Sequence, residues 1–239
     1  MSSKRHTRKA LHHGARKVVY EGPASDTLVL YFKDEDPESP GKGVINNRCS
    51  EILMERLGEM GIDTHLIRRI NMREQLVRSV SPLPFRFVIN QVAIGSFAQK
   101  FSIGEGACFQ DPIIELLYQT ASGESILVSP QHVIGLGWLP EEELERLFTI
   151  VQRMSDFLAG YFSARNLKMV RCSLLFGQTA DDSFVLMDEI SPDTCTWVEM
   201  DTGLYLDAKT KELPVHLIVS ERLALFPKEE VLEEPSHAA

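Results

Sequence analysis

The chain has 239 residues, of which 44% are hydrophobic and 25% are charged, with 15 Gly and 12 Pro. These proportions are those of an ordinary globular protein, and they exclude a disordered chain, a collagen and a repeat array. The net charge of −9 argues against extended nucleic-acid binding, because phosphate contacts need a basic surface. No run of about 18 apolar residues occurs, so we expect no membrane-spanning helix.

The two ends of the chain differ from its body in composition. Residues 1–17 contain six Lys or Arg and no acidic residue. This predicts a disordered basic tail over 1–16, although an organelle transit peptide has a similar composition. Residues 228–239 are acidic and contain Pro, which predicts a second tail.

Four Cys residues are widely spaced along the chain and form no CxxC pair. This spacing argues against a zinc knuckle or a redox motif. Reduced thiols in a cytoplasmic protein are the interpretation that we favour.

Short strands and separate helices are predicted along the body of the chain. β-Branched and aromatic runs predict strands, and apolar residues at helical spacing predict helices. In chain order the elements are strands over 18–20 and 27–32, a helix over 44–60, strands over 65–70, 75–80 and 85–93, a short helix over 96–101, a central strand over 113–118, a long helix over 141–166, and a hairpin of strands over 167–176 and 183–187. This mixture indicates the α+β class.

A break in the pattern at Ser81–Pro84 (SPLP) predicts a hinge between two lobes, because two Pro residues so close together interrupt regular structure. The predicted N-terminal lobe covers 17–82 and the C-terminal lobe 83–227.

The segment DEISPD gives the sharpest local signal for chemistry. Asp188 and Glu189 directly follow a predicted strand, and Asp193 comes four residues after Glu189. These carboxylates could hold a hard cation beside a phosphate. Alternatively, one of the Asp residues caps a turn, and the spacing alone favours this simpler interpretation.

Two other segments could contact a phosphate. In AIGS, Gly95 and Ser96 precede a short helix, so Ser96 could bind a phosphate or simply cap the helix. Glu21 and Gly22 begin EGPASD, which joins two predicted strands as nucleotide-covering hairpins do, but this turn contains no Lys or Arg.

Several segments, taken in order, resemble one family. They are VVYEGPA, LVLYFKDE, PGKGVINNRCSEILMERLGEMGIDTHLIRRI, MREQLVRSV, VAIGSFAQKF and VLMDEISPDTC. They resemble the SAICAR synthetases (phosphoribosylaminoimidazole-succinocarboxamide synthases) of purine biosynthesis, and they cover most of residues 17–207.

This resemblance implies a two-lobed α+β fold with a nucleotide cleft between the lobes, loosely like that of a protein kinase. It implies a ligase that joins L-aspartate to carboxyaminoimidazole ribonucleotide, with ATP and Mg²⁺ activating the carboxylate as an acyl phosphate. Homo-oligomers are common in this family. We therefore expect a small phosphorylated or carboxylated ligand, and no nucleic acid or membrane as partner.

The resemblance also implies roles for individual residues. The implied roles are catalysis by Asp188 and Glu189, Mg²⁺ binding by Asp188, substrate binding by Ser96 and Asp193, and nucleotide binding by Glu21, Gly22, Arg78 and Val80. We also expect Ser173 and Leu175 to face the cleft beside Asp188.

Several positions depart from the family pattern. When EGPAS is matched to the family's EGKAK, Pro23 and Ser25 replace lysines. Six other places in this chain also differ from the charged residues that the family pattern implies. Asn90 and Thr196 stand where the family has an arginine, 119–125 where it has an acidic segment, Arg171 where it has an acid, Ser173 where it has a lysine, and Leu175 where it has a magnesium-binding glutamate.

These departures predict a cleft that lacks cations, since phosphoryl-transfer chemistry depends on electrostatic positioning. Our first hypothesis is a family member whose ligase activity is weakened or lost. The alternatives are an active ligase with relocated residues or an altered substrate, and a non-catalytic protein that regulates an authentic synthetase.

Overall fold

The computed structural model describes residues 8–34, 41–208 and 214–226, and it also leaves the side chain of Ser96 undescribed. Within these residues the chain forms two antiparallel sheets and five helices. The α+β class is confirmed. Residues 1–7 of the predicted basic tail and the whole predicted acidic tail (228–239) lie outside the described residues.

The first sheet contains the strands of the N-terminal part, in the spatial order β1-β2-β3-β5-β4. They are β1 (Ala10–His13), β2 (Lys17–Glu21), β3 (Thr27–Phe32), β4 (Leu66–Arg69) and β5 (Glu74–Arg78). β2 and β3 pair as the sequence predicts, with Val19 opposite Leu30.

The second sheet has the order β12-β11-β9-β6-β7-β8, and β10 pairs with β9 outside this path. Its strands are β6 (Ser81–Val92), β7 (Cys108–Gln119), β8 (Ser125–Val128), β9 (Leu167–Gln178), β10 (Phe184–Met187), β11 (Cys195–Glu199) and β12 (Tyr205–Leu206). β9 and β10 form the predicted hairpin.

The helices pack around the sheets and help to form the main core. They are α1 (Lys42–Glu59), α2 (Ser96–Phe101), α3 (Pro130–Gly135), α4 (Glu141–Ser163) and α5 (Val215–Arg222). Leu53 of α1, Leu158 of α4, Phe87 of β6 and Trp197 of β11 are all buried in one apolar cluster. Burial of this cluster is the main source of stability for the fold.

A short parallel contact joins the two sheets directly. Thr64 pairs with Leu186, the amide of His65 donates to the carbonyl of Leu186 at 2.8 Å, and the amide of Leu186 donates to the carbonyl of Asp63 at 2.9 Å. This contact holds the end of β10 against the first sheet.

One sequence prediction was wrong. Residues 10–13, placed in a disordered tail, form β1, which pairs with β2.

The SPLP segment lies where the chain passes from the first sheet to the second, since β5 ends at Arg78 and β6 begins at Ser81. The segment is itself the first part of β6, where the pairing with β9 is irregular between Pro82 and Arg86. Such an irregularity tolerates Pro because no regular ladder bond is lost.

The strand predicted over 113–118 lies in β7, which pairs with β6 and β8. Only Leu116 of β7 is buried. A short apolar run cannot by itself show how many faces of a strand are covered.

No helix in the described ranges is both long and apolar enough to cross a membrane.

Close packing of α1 on β3 explains the second glycine, Gly43, of the segment PGKG. A Cβ atom at Gly43 would lie 2.6 Å from the carbonyl oxygen of Lys33 and 2.7 Å from that of Phe32. Both contacts are with backbone, so they could be relieved only by moving the helix away from the strand.

We therefore expect Gly43→Ala to lower the free energy of unfolding by roughly 1–3 kcal/mol, the usual cost of overpacking. Gly58→Ala in the same helix is the matched control, because nothing lies within 4 Å of its added Cβ. That variant should be more stable by roughly 0.5–1 kcal/mol. Urea denaturation measures both values, and equal effects would contradict the packing argument.

Candidate active site

A cleft of about 1170 Å³ lies between the two sheets. Its first wall is apolar and comes from the first sheet, including Val19, Leu28, Leu30 and Val77. Its second wall is one face of the second sheet. Successive strand residues point to opposite faces, so Arg171, Ser173 and Leu175 of β9 line the cleft while Cys172 and Leu174 are buried.

The turn between β1 and β2 closes one end of the cleft. Gly14, Ala15, Arg16 and Lys17 all line it, and the amide of Gly14 donates to the carbonyl of Lys17 at 2.9 Å. The turn thus brings two basic side chains to the cleft. The sequence does contain a signal for this turn, namely a glycine followed by two basic residues directly before a β-branched strand. The basic composition of the segment led us to predict a tail there instead.

Lys17 joins this turn to the end of β10. Its Nζ forms an ion pair with Asp188 and another with Glu189, the latter at 2.7 Å. Arg86 of β6 also pairs with Asp188, at 2.8 Å. Glu189 is further held by the hydroxyl of Ser191, which donates at 2.7 Å.

These contacts control the protonation of the buried groups. Burial opposes ionisation of Asp188, but Lys17 and Arg86 outweigh it and hold the pKa of Asp188 well below its ordinary value. Burial likewise lowers the pKa of Lys17, but the two carboxylates raise it above the ordinary value overall. Asp188 and Lys17 are therefore both charged at neutral pH.

Asp193 has a second set of partners, two of which, Arg16 and Lys42, are basic. Its carboxylate lies 3.4 Å from Arg16 Nε, 3.6 Å from Lys42 Nζ and 3.5 Å from His216 Nε2, and it accepts from Asn46 Nδ2 at 3.0 Å. Burial disfavours its charge, but these partners outweigh that effect and hold the pKa of Asp193 at about 2.

The expectation of a cleft without cations was wrong. Arg16, Lys17, Arg78, Arg86 and Arg171 all line the cleft. Their positions depend on folding, since they come from a turn, from the end of β5 and from two strands of the second sheet. The sequence pattern alone could not place them together.

The other predicted site residues divide into two groups. Arg78 and Val80 line the cleft, as do Asp188, Glu189 and Asp193. Ser173 and Leu175 line it together with Asp188, as expected.

Glu21 and Gly22 do not line the cleft. They belong to the opposite end of β2, where Glu21 pairs with Lys9 at 3.3 Å and Gly22 packs closely against Thr27. Ser96 begins α2, and its side chain lies outside the described residues. The preceding amide, that of Gly95, donates to the carboxylate of Glu105 at 2.9 Å.

The model of one protein family, described as SAICAR synthetase, matches residues 10–213. The chain belongs to the SAICAR synthetase family. The curated SAICAR synthase of Zymomonas mobilis is 37% identical over an alignment of 250 positions, gaps included, and the alignment covers 96% of each chain. That of Acidiphilium cryptum is 41% identical over 217 residues, covering 86% of this chain and 82% of the relative.

Solved structures agree with this family. The SAICAR synthase of Ehrlichia chaffeensis superposes with a TM-score of 0.85 at 29% identity, covering 92% of this chain and all of that one. A SAICAR synthetase in complex with ADP gives a TM-score of 0.84 at 26% identity, covering 91% of this chain and 99% of that one. The two-lobed fold expected for the family is confirmed.

The family match begins at residue 10, so it includes the turn at Gly14–Lys17. This turn lines the cleft, whereas Glu21 and Gly22 of EGPAS do not. The geometry therefore favours this turn, and not EGPAS, as the counterpart of EGKAK, and it does not favour Pro23 and Ser25 as replacements of phosphate-binding lysines.

Most of the other positions at which the resemblance implies a departure from the family pattern line the same cleft. They are Asn90, the two ends of 119–125 (Gln119 and Ser125), Arg171, Ser173, Leu175 and Thr196. These residues are far apart in sequence and meet only in the folded chain.

The SAICAR synthetase family uses ATP and Mg²⁺, and a magnesium centre needs carboxylate oxygens that are open to the metal. Among the described residues, no three His, Cys, Asp or Glu side chains are grouped as metal ligands. Asp188 and Glu189 meet Lys17 and Arg86 instead. This arrangement does not fit a magnesium centre, and Mg²⁺ binding by Asp188 stays a prediction that the described geometry does not favour.

His65 provides a test of the electrostatics at this end of the cleft. It is buried and lines the cleft beside Asp188, and burial lowers the pKa of His65 from 6.5 to about 4. The imidazole is therefore neutral in the folded protein at neutral pH.

Between pH 6.5 and pH 4 the unfolded chain binds a proton at His65 that the folded chain does not. The free energy of unfolding should thus fall by roughly 3 kcal/mol as the pH is lowered through this window. His65→Gln should reduce that fall, whereas His13→Gln, at an exposed histidine of β1, should not. Denaturation at several pH values measures this, and identical slopes in all three proteins would exclude His65.

Proposed function

We propose that the cleft binds a small phosphorylated or carboxylated molecule, and that the ligation of L-aspartate to carboxyaminoimidazole ribonucleotide is weakened or lost in this chain. The observation that carries this proposal is that Ser173 and Leu175 line the cleft together with Asp188, at positions where the resemblance implies charged residues of the ligase site.

Two positions on β9 bear most directly on the ligase chemistry. The resemblance implies a lysine at Ser173 and a magnesium-binding glutamate at Leu175. A hydroxyl cannot supply the positive charge of a lysine, and an isobutyl group cannot ligate a metal. Removing one preorganised electrostatic contact typically costs about 10²–10³ in rate, so two such losses support a large decrease.

The charge of the cleft favours an anionic ligand. Arg16, Lys17 and Arg86 lie towards one end, and Arg171 lies four residues from Leu175 along β9, about 13 Å away by strand geometry. Both ends can therefore attract acidic groups, while the apolar wall between them suits a planar ring.

Arg171 is the cation that we assign to the second end. It is opposite Asn90 on β6 and Thr196 on β11, so these three side chains form one row on the cleft wall. Within the described part of the chain, the side chain of Arg171 forms no hydrogen bond or ion pair with a carboxylate, and its charge acts on the Tyr205 phenol. Beside it, the buried hydroxyl of Thr196 lies next to the same phenol, and no hydrogen bond of good geometry satisfies its oxygen. A ligand oxygen could satisfy both groups.

An active ligase with relocated residues is the second candidate. The observation that favours it is the convergence of cations on the cleft, since Arg171 lies between the two strands on which Asn90 and Thr196 replace arginines. Only an assay of the reaction separates the two candidates.

We expect the purified protein to release ADP at least ~10³-fold more slowly than the Zymomonas mobilis relative. Both proteins would receive ATP, Mg²⁺, L-aspartate and carboxyaminoimidazole ribonucleotide under the same conditions. Aspartate-dependent ADP release at a similar rate in both would overturn the proposed loss and support the second candidate.

Binding is tested separately by calorimetric titration with ribose 5-phosphate and with ADP. Arg171→Ala should weaken ribose 5-phosphate binding by about 10–100-fold, the effect of one hydrogen bond to a charged group. Arg68→Ala, at an exposed arginine of β4 away from the cleft, is the matched control and should bind as the original protein does. Unchanged affinity in Arg171→Ala would exclude this residue from the ligand site.

We also infer a cytoplasmic location from the four cysteines, none of which forms a disulfide. Homo-oligomerisation, implied by the family, stays a prediction that gel filtration would test.

A further inference from the structure

One edge of the second sheet is open and apolar. β8 is the last strand on its side of the sheet, and within the described residues it pairs only with β7. Its two central side chains are apolar and exposed, with exposed fractions of 43% for Ile126 and 42% for Leu127. The strand contains no charged residue, no Pro and no bulge, which are common features of edges that resist pairing with another strand.

The hydrogen bonds of the β7–β8 hairpin show which backbone groups face this edge. The amide of Thr120 donates to the carbonyl of Glu124 at 2.8 Å, so these residues form a hydrogen-bonded pair of the antiparallel ladder. Such pairs alternate along a ladder, and Ile126 therefore directs its amide and carbonyl toward β7. Those of Ser125 and Leu127 point to the open edge, where no backbone group of the described residues bonds to them.

A second copy of β8, antiparallel to the first, fits this edge. When Ile126 lies on a two-fold axis, Ser125 of each copy is opposite Leu127 of the other, and each such pair exchanges backbone hydrogen bonds. The small side chain of Ser125 leaves room for Leu127 on one face, and the two Ile126 side chains meet on the other face. Each Glu124 is then opposite Val128, so like charges do not face each other.

Other symmetric registers do not fit. An axis between two residues would place side chains of opposite faces against each other, because successive residues alternate between faces. An axis at Leu127 would pair Ser125 with Ser129, but the amide of Ser129 donates to His132 Nδ1 and its carbonyl accepts from the amide of His132, both at 3.0 Å. Ser129 is also the N-cap of α3, so the strand ends before it.

We propose that β8 is the contact of a two-fold homodimer, in which the second sheets of two copies join edge to edge with Ile126 on the axis. Ser125 lines the cleft, so Leu127 of the partner subunit would extend the cleft wall. The strand contact involves only four residues of each copy. We therefore expect a reversible dimer with a Kd of ~1–100 μM, weaker than complexes with interfaces of about 1,600 Å².

Analytical ultracentrifugation of the full chain from about 1 to 500 μM tests this proposal. The average mass should rise from that of a monomer to that of a dimer. Ile126→Lys places two positive charges at the axis and should weaken association at least ~10-fold. Ile67→Lys is the matched control, because Ile67 is 46% exposed on β4, an edge strand of the first sheet. This variant should associate as the original protein does.

Cysteine cross-linking tests the register without adding a charge. Cys108→Ser first removes the exposed thiol of the chain. In that protein, Ile126→Cys should form a disulfide-linked dimer on mild oxidation, since the Cα atoms of a non-hydrogen-bonded pair lie about 4.5 Å apart, within the range of a disulfide. Leu127→Cys should not cross-link, because it faces Ser125 of the partner subunit.

The proposal is overturned if the protein stays monomeric throughout the concentration range, or if Ile126→Lys associates as tightly as Ile67→Lys. It is also overturned if Ile126→Cys fails to cross-link. None of these measurements uses ATP, L-aspartate or a cleft ligand, so a negative result here is separate from a failure of the proposed function.

Discussion

The ion pairs of Lys17 with Asp188 and Glu189 hold the cleft together. They connect the start of β2 in the first sheet to the end of β10 in the second, across a partly buried space. Charges at such a depth are stable only when they are paired, because each would otherwise lose its hydration without compensation. One ammonium group that satisfies two carboxylates thus joins the two sheets at this end of the cleft, together with the backbone contact between His65 and Leu186.

These pairs also determine which chemistry the cleft can support. The carboxylates that survive from the family pattern are neutralised by cations of the same chain, so the described residues present ion pairs where a metal-dependent ligase would need open carboxylate oxygens. The same cations leave the cleft suitable for an anion. An anion that displaced one carboxylate from its partner would have to replace that interaction.

The register of the second sheet explains why residues far apart in sequence meet at one place. β9 lies between β6 and β11, and its alternate residues form rows with theirs on the cleft wall. A change at Arg171 is thus a change beside Asn90 and Thr196, although the three residues are separated by many positions in the sequence. The opposite face of the same strand is buried against the main core.

The sequence by itself determined the local elements and the family. The apolar spacing of α1 and α4 and the β-branched runs of β2 and β3 depend on neighbouring residues, and the structure confirms them. DEISPDT and GKGVINNR were sufficient to indicate the SAICAR synthetase family. The order of motifs also placed Asp188, Glu189 and Asp193 in the correct cleft, because they follow a predicted strand directly.

Tertiary structure decided the partners of those residues. A basic segment such as Arg16-Lys17 has the composition of a tail, and only pairing of β1 with β2 brings its charges to Asp188. Arg86 looked like an ordinary strand residue, and Arg171 stood out only as a residue found where the family has an acid, because a single strand does not show which face is covered. Ion pairing and cross-strand contact join residues distant in sequence, and their geometry exists only after the sheets have assembled.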